Sequence, residues 1–179
     1  MGYDLEDTIC AIASPPGGAA RGIIRISGPT ALPHVRAQFR AGSPAAALPE
    51  QSPTAVDGTW RLEPCGRSLP CRVLMWPGER SYTRQPTAEL HLPGSRPLLQ
   101  RVLEQLCGRP EVRLAEPGEF TLRAFLAGRL DLTQAEAVLG VIDAKSSRQL
   151  QTALRQLAGG LSGPLSALRD QLLNVCADL

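Results

Sequence analysis

The 179-residue sequence predicts an α+β fold, a small mixed sheet domain with helices followed by a C-terminal helical arm. Three observations carry this. Short apolar runs bounded by glycine and proline, the pattern of strands, recur as far as Ala115. From Glu119 onward the apolar residues step by three and four, the pattern of helices. With 43% apolar and 20% charged residues, the chain has enough side chain to bury a core. The length suits one ordinary domain with part of a second, and the division expected is residues 1–127 and 128–179.

In chain order, Thr8 to Ser14 is an apolar strand ended by Pro15, Pro16, Gly17 and Gly18. Gly22 to Gly28 is a second strand, with Ile24 and Ile26 on one face and Ile23, Arg25 and Ser27 on the other. A short helix follows to about Phe39, with Thr30 placed to cap it and Pro33 in its first turn. Residues 41–55 are rich in alanine, proline and serine without periodicity, and read as a surface loop. Two strands, near Val56 to Leu62 and Leu69 to Trp76, meet across the Gly66 turn, and a loop covers Pro77 to Pro86. Thr87 to Leu92 alternates, with Ala88, Leu90 and Leu92 opposite Thr87, Glu89 and His91. A helix over about Ser95 to Leu106 stops at Gly108 and Pro110, and a last short strand spans about Val112 to Ala115.

The arm opens with a short helix from Glu119 to about Ala127 and continues as a long helix from Leu132 or Thr133, where Thr133 and Glu136 have the spacing of a capping box. Its apolar stripe runs Leu150, Leu154, Leu157, Leu161, Leu165, Leu168, Leu172, Val175, with Gly159, Gly160 and Gly163 weakening it and Pro164 placed to begin a second segment. So apolar an edge has to be buried, either by another chain or by a continuation of this one. The second is favoured, because Ala177, Asp178 and Leu179 supply no stop signal.

Charge leaves the partner open: nineteen basic against seventeen acidic side chains give +2. All the basic residues except Lys145 are arginines, and Ala144 precedes Lys145, so the chain contains no Walker A phosphate loop, which needs Gly-Lys. Five cysteines without a C-x-x-C pair, and two histidines, lack the ligands and spacing of a zinc site. Cys65 and Cys71 are spaced to bridge a hairpin only in an oxidising compartment. The acidic start is unlike a signal peptide and no run approaches a membrane span, so a reduced, cytoplasmic protein without a membrane partner is expected.

Three places can carry chemistry. Arg25 sits between isoleucines in mid-strand: its face either meets solvent, or its planar fork addresses a carboxylate or phosphate. Glu89 is either a cross-strand partner for an arginine or, in a pocket, a two-oxygen acceptor for a heterocycle with adjacent N–H and NH2 donors, such as a pterin or guanine. Arg123 and Arg129 lie close to a helix start, where they form a basic corner able to hold an anion or are simply solvated helix charges.

The segments DTICAIASPPG, GIIRISGP, SYT followed by AELH, and PGEFTLRAFLAGRLDLTQAEAVLGVIDAKS closely resemble, in order and over essentially the whole chain, the front end of the MnmE (TrmE) family of tRNA modification GTPases. The resemblance implies a folate-binding, dimerising N-terminal domain related to the aminomethyltransferase fold, then the first helices of a helical domain. It implies a tetrahydrofolate derivative (5-formyl- or 5,10-methylene-tetrahydrofolate) as cofactor, held by Arg25, Glu89 and Arg129. GTP, Mg2+ and K+ belong to a G domain expected after Leu179, so no catalytic residue is expected in this chain. The implied partners are a second copy, an MnmG-like FAD protein and, indirectly, tRNA, in modification of the wobble uridine U34. The chain has RQPTAELHLPGS where the family reads GEDVVELHCHGG, GGAARG where it reads GRGGVG, and Arg129 where Lys is usual. The alternatives are a dimerisation scaffold without folate and a stand-alone folate-dependent one-carbon transferase.

Overall fold

A computed structural model describes residues 6–43, 51–64, 66–160 and 162–177, with the side chain of residue 162 excluded. The α+β class holds: among the described residues there are seven strands and six helices, in two compact units, Met1–Phe120 and Thr121–Leu179.

The first unit is built on one mixed sheet. Its strands are β1 (Thr8–Ile12), β2 (Ala19–Ser27), β3 (Phe39–Ala41), β4 (Thr54–Leu62), β5 (Arg67–Trp76), β6 (Thr87–Gly94) and β7 (Val112–Leu114). They lie in the order β3-β4-β5-β6-β2-β1-β7, antiparallel throughout except for the parallel pair β1 and β7. Helices α1 (Ala31–Gln38) and α2 (Arg96–Cys107) pack on this sheet. Pairing register sorts the side chains. Cys10, Ile26, Ala88 and Met75 form one cross-strand row and Ile24, Leu90, Val73 and Val56 another. These rows join Leu32 and Val35 of α1 and Leu99, Val102 and Leu106 of α2 in one buried core, in which Trp60 lies opposite Phe39. Full burial of a side chain of this kind is worth about 1.5–3 kcal/mol, so the alternation of the strands is enough to fix which sheet face the helices cover.

Three local expectations are corrected here. Phe39 begins a strand rather than ending a helix, since it pairs with Trp60 across β3 and β4. Thr30 does not cap α1; its N–H donates instead to Thr8 Oγ1 (3.0 Å), and the two hydroxyls lie 2.8 Å apart, tying the helix start to β1. Cys71 is a free, buried thiol, while Cys65, its expected hairpin partner, lies outside the described residues.

The boundary falls within α3 (Glu119–Leu126), and the second unit continues with α4 (Leu132–Ile142), α5 (Ser147–Leu157) and α6 (Ser162–Ala177). The second segment expected near Pro164 is α6, and the stretch expected as one helix before it is corrected to two, α4 and α5. Spacing by three and four cannot register a turn that resumes in phase, and Ser146 restarts the chain by accepting the Gln149 N–H at 3.3 Å. The capping box is also relocated. Asp131 Oδ1 accepts from Gln134 N (2.8 Å) and Gln134 Oε1 from Asp131 N (3.0 Å), a D-x-x-Q pair in place of Thr133 and Glu136. Helices α4 and α5 pack on each other, with Ala137 and Ala153 buried. Of the arm's apolar stripe, Leu150, Leu154, Leu165, Leu168, Leu172 and Val175 are exposed, Leu157 is half-buried, and Leu161 lies outside the described residues.

Candidate functional site

Opposite the helices, the sheet carries a different set of side chains. One cross-strand row reads Ala11, Arg25, Glu89, Leu74 and Ala55, and the neighbouring row reads Ile23, His91, Arg72 and Asp57. Period-two alternation makes this unavoidable: once Ile24, Leu90 and Val73 point to the core, Arg25, Glu89, His91 and Arg72 share the other face.

Arg25 and Glu89 are in direct contact. Glu89 Oε1 accepts from Arg25 Nε (2.9 Å) and lies 2.8 Å from Nη2, and Oε2 lies 3.3 Å from His91 Nε2. Of the two sequence alternatives for Glu89, the cross-strand partnership with an arginine is thus present in the structure. It does not exhaust the group, because an ionised carboxylate has about four acceptor positions. Arg25 contacts Glu89 through Nε and Nη2, and its side chain is 31% exposed against 16% for Glu89. These are neither solvated surface charges nor core residues.

Two aromatic rings complete the surroundings of Arg25. Its guanidinium carbon stands 5.9 Å from the centroid of Tyr82 and 5.6 Å from that of Phe120, within range of cation–π attraction. The Tyr82 loop is held by a cluster of hydroxyls: Ser27 Oγ is 2.6 Å from Thr83 Oγ1 and 3.0 Å from Thr87 Oγ1, and Thr87 Oγ1 donates to Gln85 O (2.9 Å). Arg84, where the chain departs from the family pattern, takes a left-handed φ of 58° directly beside this anchor. Ser81, preceding Tyr82, is buried with no partner for its hydroxyl among the described residues.

Phe120 is positioned by the PGEF turn. Glu119, with its side chain 1% exposed, receives both ends of the Arg113 fork at 2.8 and 2.6 Å and also the Glu116 N–H at 2.8 Å. Arg113 reaches Asp7 as well, and hydrogen bonding to Glu119 first, with Asp7 second, raises the guanidinium pKa further above its ordinary value. The result is a braced corner at the start of α3.

The remaining candidate, Arg129, belongs to the second unit. It is exposed, on a turn in which its N–H and that of Leu130 bond to Ala124 O, and Gly128 at φ 68° supplies the left-handed residue the turn requires. At the next helix start the Asp131 carboxylate accepts the Gln134 N–H and caps α4. Arg123 is buried rather than presented at the surface.

The positions of Arg25 and Glu89 in the sequence do not imply Tyr82, Phe120 or the three hydroxyls. Their only trace in the sequence is adjacency: SYT precedes AELH, and Phe120 lies within PGEFT. A cleft of about 330 Å3 adjoins the site, lined in part by His91, Arg72, Asp57 and Arg21. Among the described residues no cluster of three or more metal-ligating side chains occurs, and no helix is long and apolar enough to cross a membrane.

Comparison with known proteins agrees with this architecture. Residues 8–129 match the family described as GTP-binding protein TrmE N-terminus, and residues 132–179 match the MnmE helical domain. The chain is 50% identical over 180 residues to the tRNA modification GTPase MnmE of Rhodopirellula baltica, an alignment covering 100% of this chain and 38% of that protein. It is 43% identical over 178 residues to the protein of the same name from Synechococcus sp. (strain JA-2-3B'a(2-13)), covering 98% and 38%. With that of Exiguobacterium sibiricum it shares 39% over 176 residues, covering 97% and 37%. The chain thus spans less than two-fifths of the length of these relatives, and with both halves matched it belongs to the MnmE (TrmE) family, carrying the family's N-terminal and helical-domain portions.

Proposed function

We propose that this chain binds a tetrahydrofolate derivative on the open face of its sheet, as the cofactor module of a tRNA-modifying assembly. The observation that carries the reading is the Arg25–Glu89 pair with Tyr82 and Phe120 against the guanidinium. A reduced pteridine offers adjacent N–H and NH2 donors and a flat body, and its folate tail is anionic. Glu89 has acceptor capacity beyond Arg25 and His91 for that donor edge, and Arg25 is a cation for the polar and anionic groups. Arg129 supplies a second guanidinium to the same ligand, standing where the family pattern has Lys. When bound, the folate would supply a one-carbon unit; this chain's residues bind and orient it.

The proposed division into a folate-binding domain over 1–127 and the start of a helical domain over 128–179 follows from the same reading. So do self-association through the first of these, a cytoplasmic location, and service to U34 modification together with an MnmG-like FAD protein, GTP being handled in a G domain outside this chain.

Calorimetric titration of the chain with 5-formyltetrahydrofolate tests the proposal, with sedimentation of the same sample reporting its mass. Saturable binding is expected, weakened at least tenfold by Glu89→Ala and by Arg25→Ala, since each removes a charge-assisted contact worth about 1.5–3 kcal/mol. A wild-type chain that does not bind, while sedimenting as a folded dimer, would return the protein to the scaffold reading.

A further inference from the structure

We infer that Cys10 and Cys107 form an oxidisable dithiol, which a hydroperoxide-class oxidant converts to an internal disulfide linking β1 to the end of α2. Their sulfurs lie 3.4 Å apart, in contact although they stand 97 positions apart in the chain. Cys10 is in the middle of β1, on the face covered by helices, and Cys107 is the last residue of α2, which packs against β1. The pair is graded in access: Cys10 is fully buried, whereas Cys107 is partly exposed. Its geometry owes nothing to Arg25 or Glu89, so the inference stands apart from the folate reading.

The grading sets the order of events. Cys107, the accessible sulfur, takes one oxygen from the hydroperoxide, becoming a sulfenic acid as the peroxide O–O bond breaks and water, or an alcohol, leaves. Cys10 sulfur then attacks the Cys107 sulfur; the S–O bond breaks, and the departing hydroxide carries away the Cys10 proton as water. Two thiols lose two electrons and two protons, and hydrogen peroxide is reduced to two waters. Before oxidation, burial first and the neighbouring Cys107 second raise the Cys10 thiol pKa well above the ordinary range, so Cys107 rather than Cys10 meets the oxidant, and Cys10 gives up its proton only to the hydroxide that leaves Cys107. The product closes a long loop in the unfolded chain, so it raises thermal stability.

The test uses the whole chain with Cys176→Ser, which removes the exposed thiol that would join two molecules. Dilute hydrogen peroxide under native conditions is expected to consume two thiols, lower the intact mass by about 2 Da, and raise Tm by several degrees in a manner reversed by dithiothreitol. Peptide mapping should join the Cys10 and Cys107 peptides, and Cys107→Ser in the same background should show neither the link nor the shift. The inference is overturned if Cys107 instead gains oxygen while Cys10 stays reduced, if the bond maps to Cys65 or Cys71, or if the linked form melts no higher than the reduced one.

Discussion

Glu63 shows how a single half-buried carboxylate ties distant segments together. It accepts from Gln38 Nε2 at 3.1 Å and from Arg109 Nη2 at 2.8 Å, joining the ends of β4, α1 and α2. The Gln38 hydrogen bond first, then Arg109, hold its pKa below the ordinary 4.5. A carboxylate depressed in the folded state contributes stability that is complete above its unfolded pKa and is lost as pH falls through the folded value. In urea unfolding, wild type should therefore exceed Glu63→Gln by a margin that is constant above about pH 5.5 and disappears in acid. A margin independent of pH would show that the charge of Glu63 is not what matters. At this same scale, the sequence makes Arg25 and Glu89 conspicuous but cannot join them. Each strand's alternation says which face a residue occupies, whereas their contact depends on the β2–β6 register, a property of two strands together. Tyr82 approaches Arg25 from a loop and Phe120 from the start of α3, so no local pattern announces them.

Elements are decided by contacts that propensity does not contain. The strands were legible because burial imposes alternation: Ile24 and Ile26, and again Ala88, Leu90 and Leu92, are all buried as their pattern requires. The three-residue β3 was not, because Phe39 fits a helical stripe as well as it fits a strand until Trp60 is placed opposite it. Its closeness to β4 depends on Gly58, where a Cβ would come within 2.1 Å of Arg40 O and 2.6 Å of the Phe39 ring. Gly58→Ala should separate β3 from β4 and cost about 2 kcal/mol or more, within the range for overpacking, seen as a lower urea midpoint with unchanged slope. In the second unit, Asp131→Ala removes the cap of α4 and should cost about 1 kcal/mol, whereas Thr133→Ala, which leaves the Asp131–Gln134 exchange in place, should cost less. Equal losses would return the capping role to Thr133.

At the scale of the whole molecule, charge and hydrophobicity are segregated by face. One side of the sheet is a continuous apolar core; the other carries the Arg25–Glu89–His91 contacts beside the Arg72–Asp57 pair. The arm, by contrast, exposes leucines along α5 and α6, the arrangement expected of helices that belong to a larger bundle. Both faces acquire a purpose in the proposed assembly, the first as ligand surface and the second as helix–helix contact. The central claim is that one reduced pteridine meets Glu89, Arg25 and Arg129 together. The most direct measurement is a crystal structure of the chain with 5-formyltetrahydrofolate bound. The account predicts the pterin donor edge against the Glu89 carboxylate, with the Arg25 and Arg129 guanidinium groups, from one protomer or from two, on the same ligand. A pterin bound away from Glu89, or three side chains on separate surfaces even after protomers are paired, would contradict it.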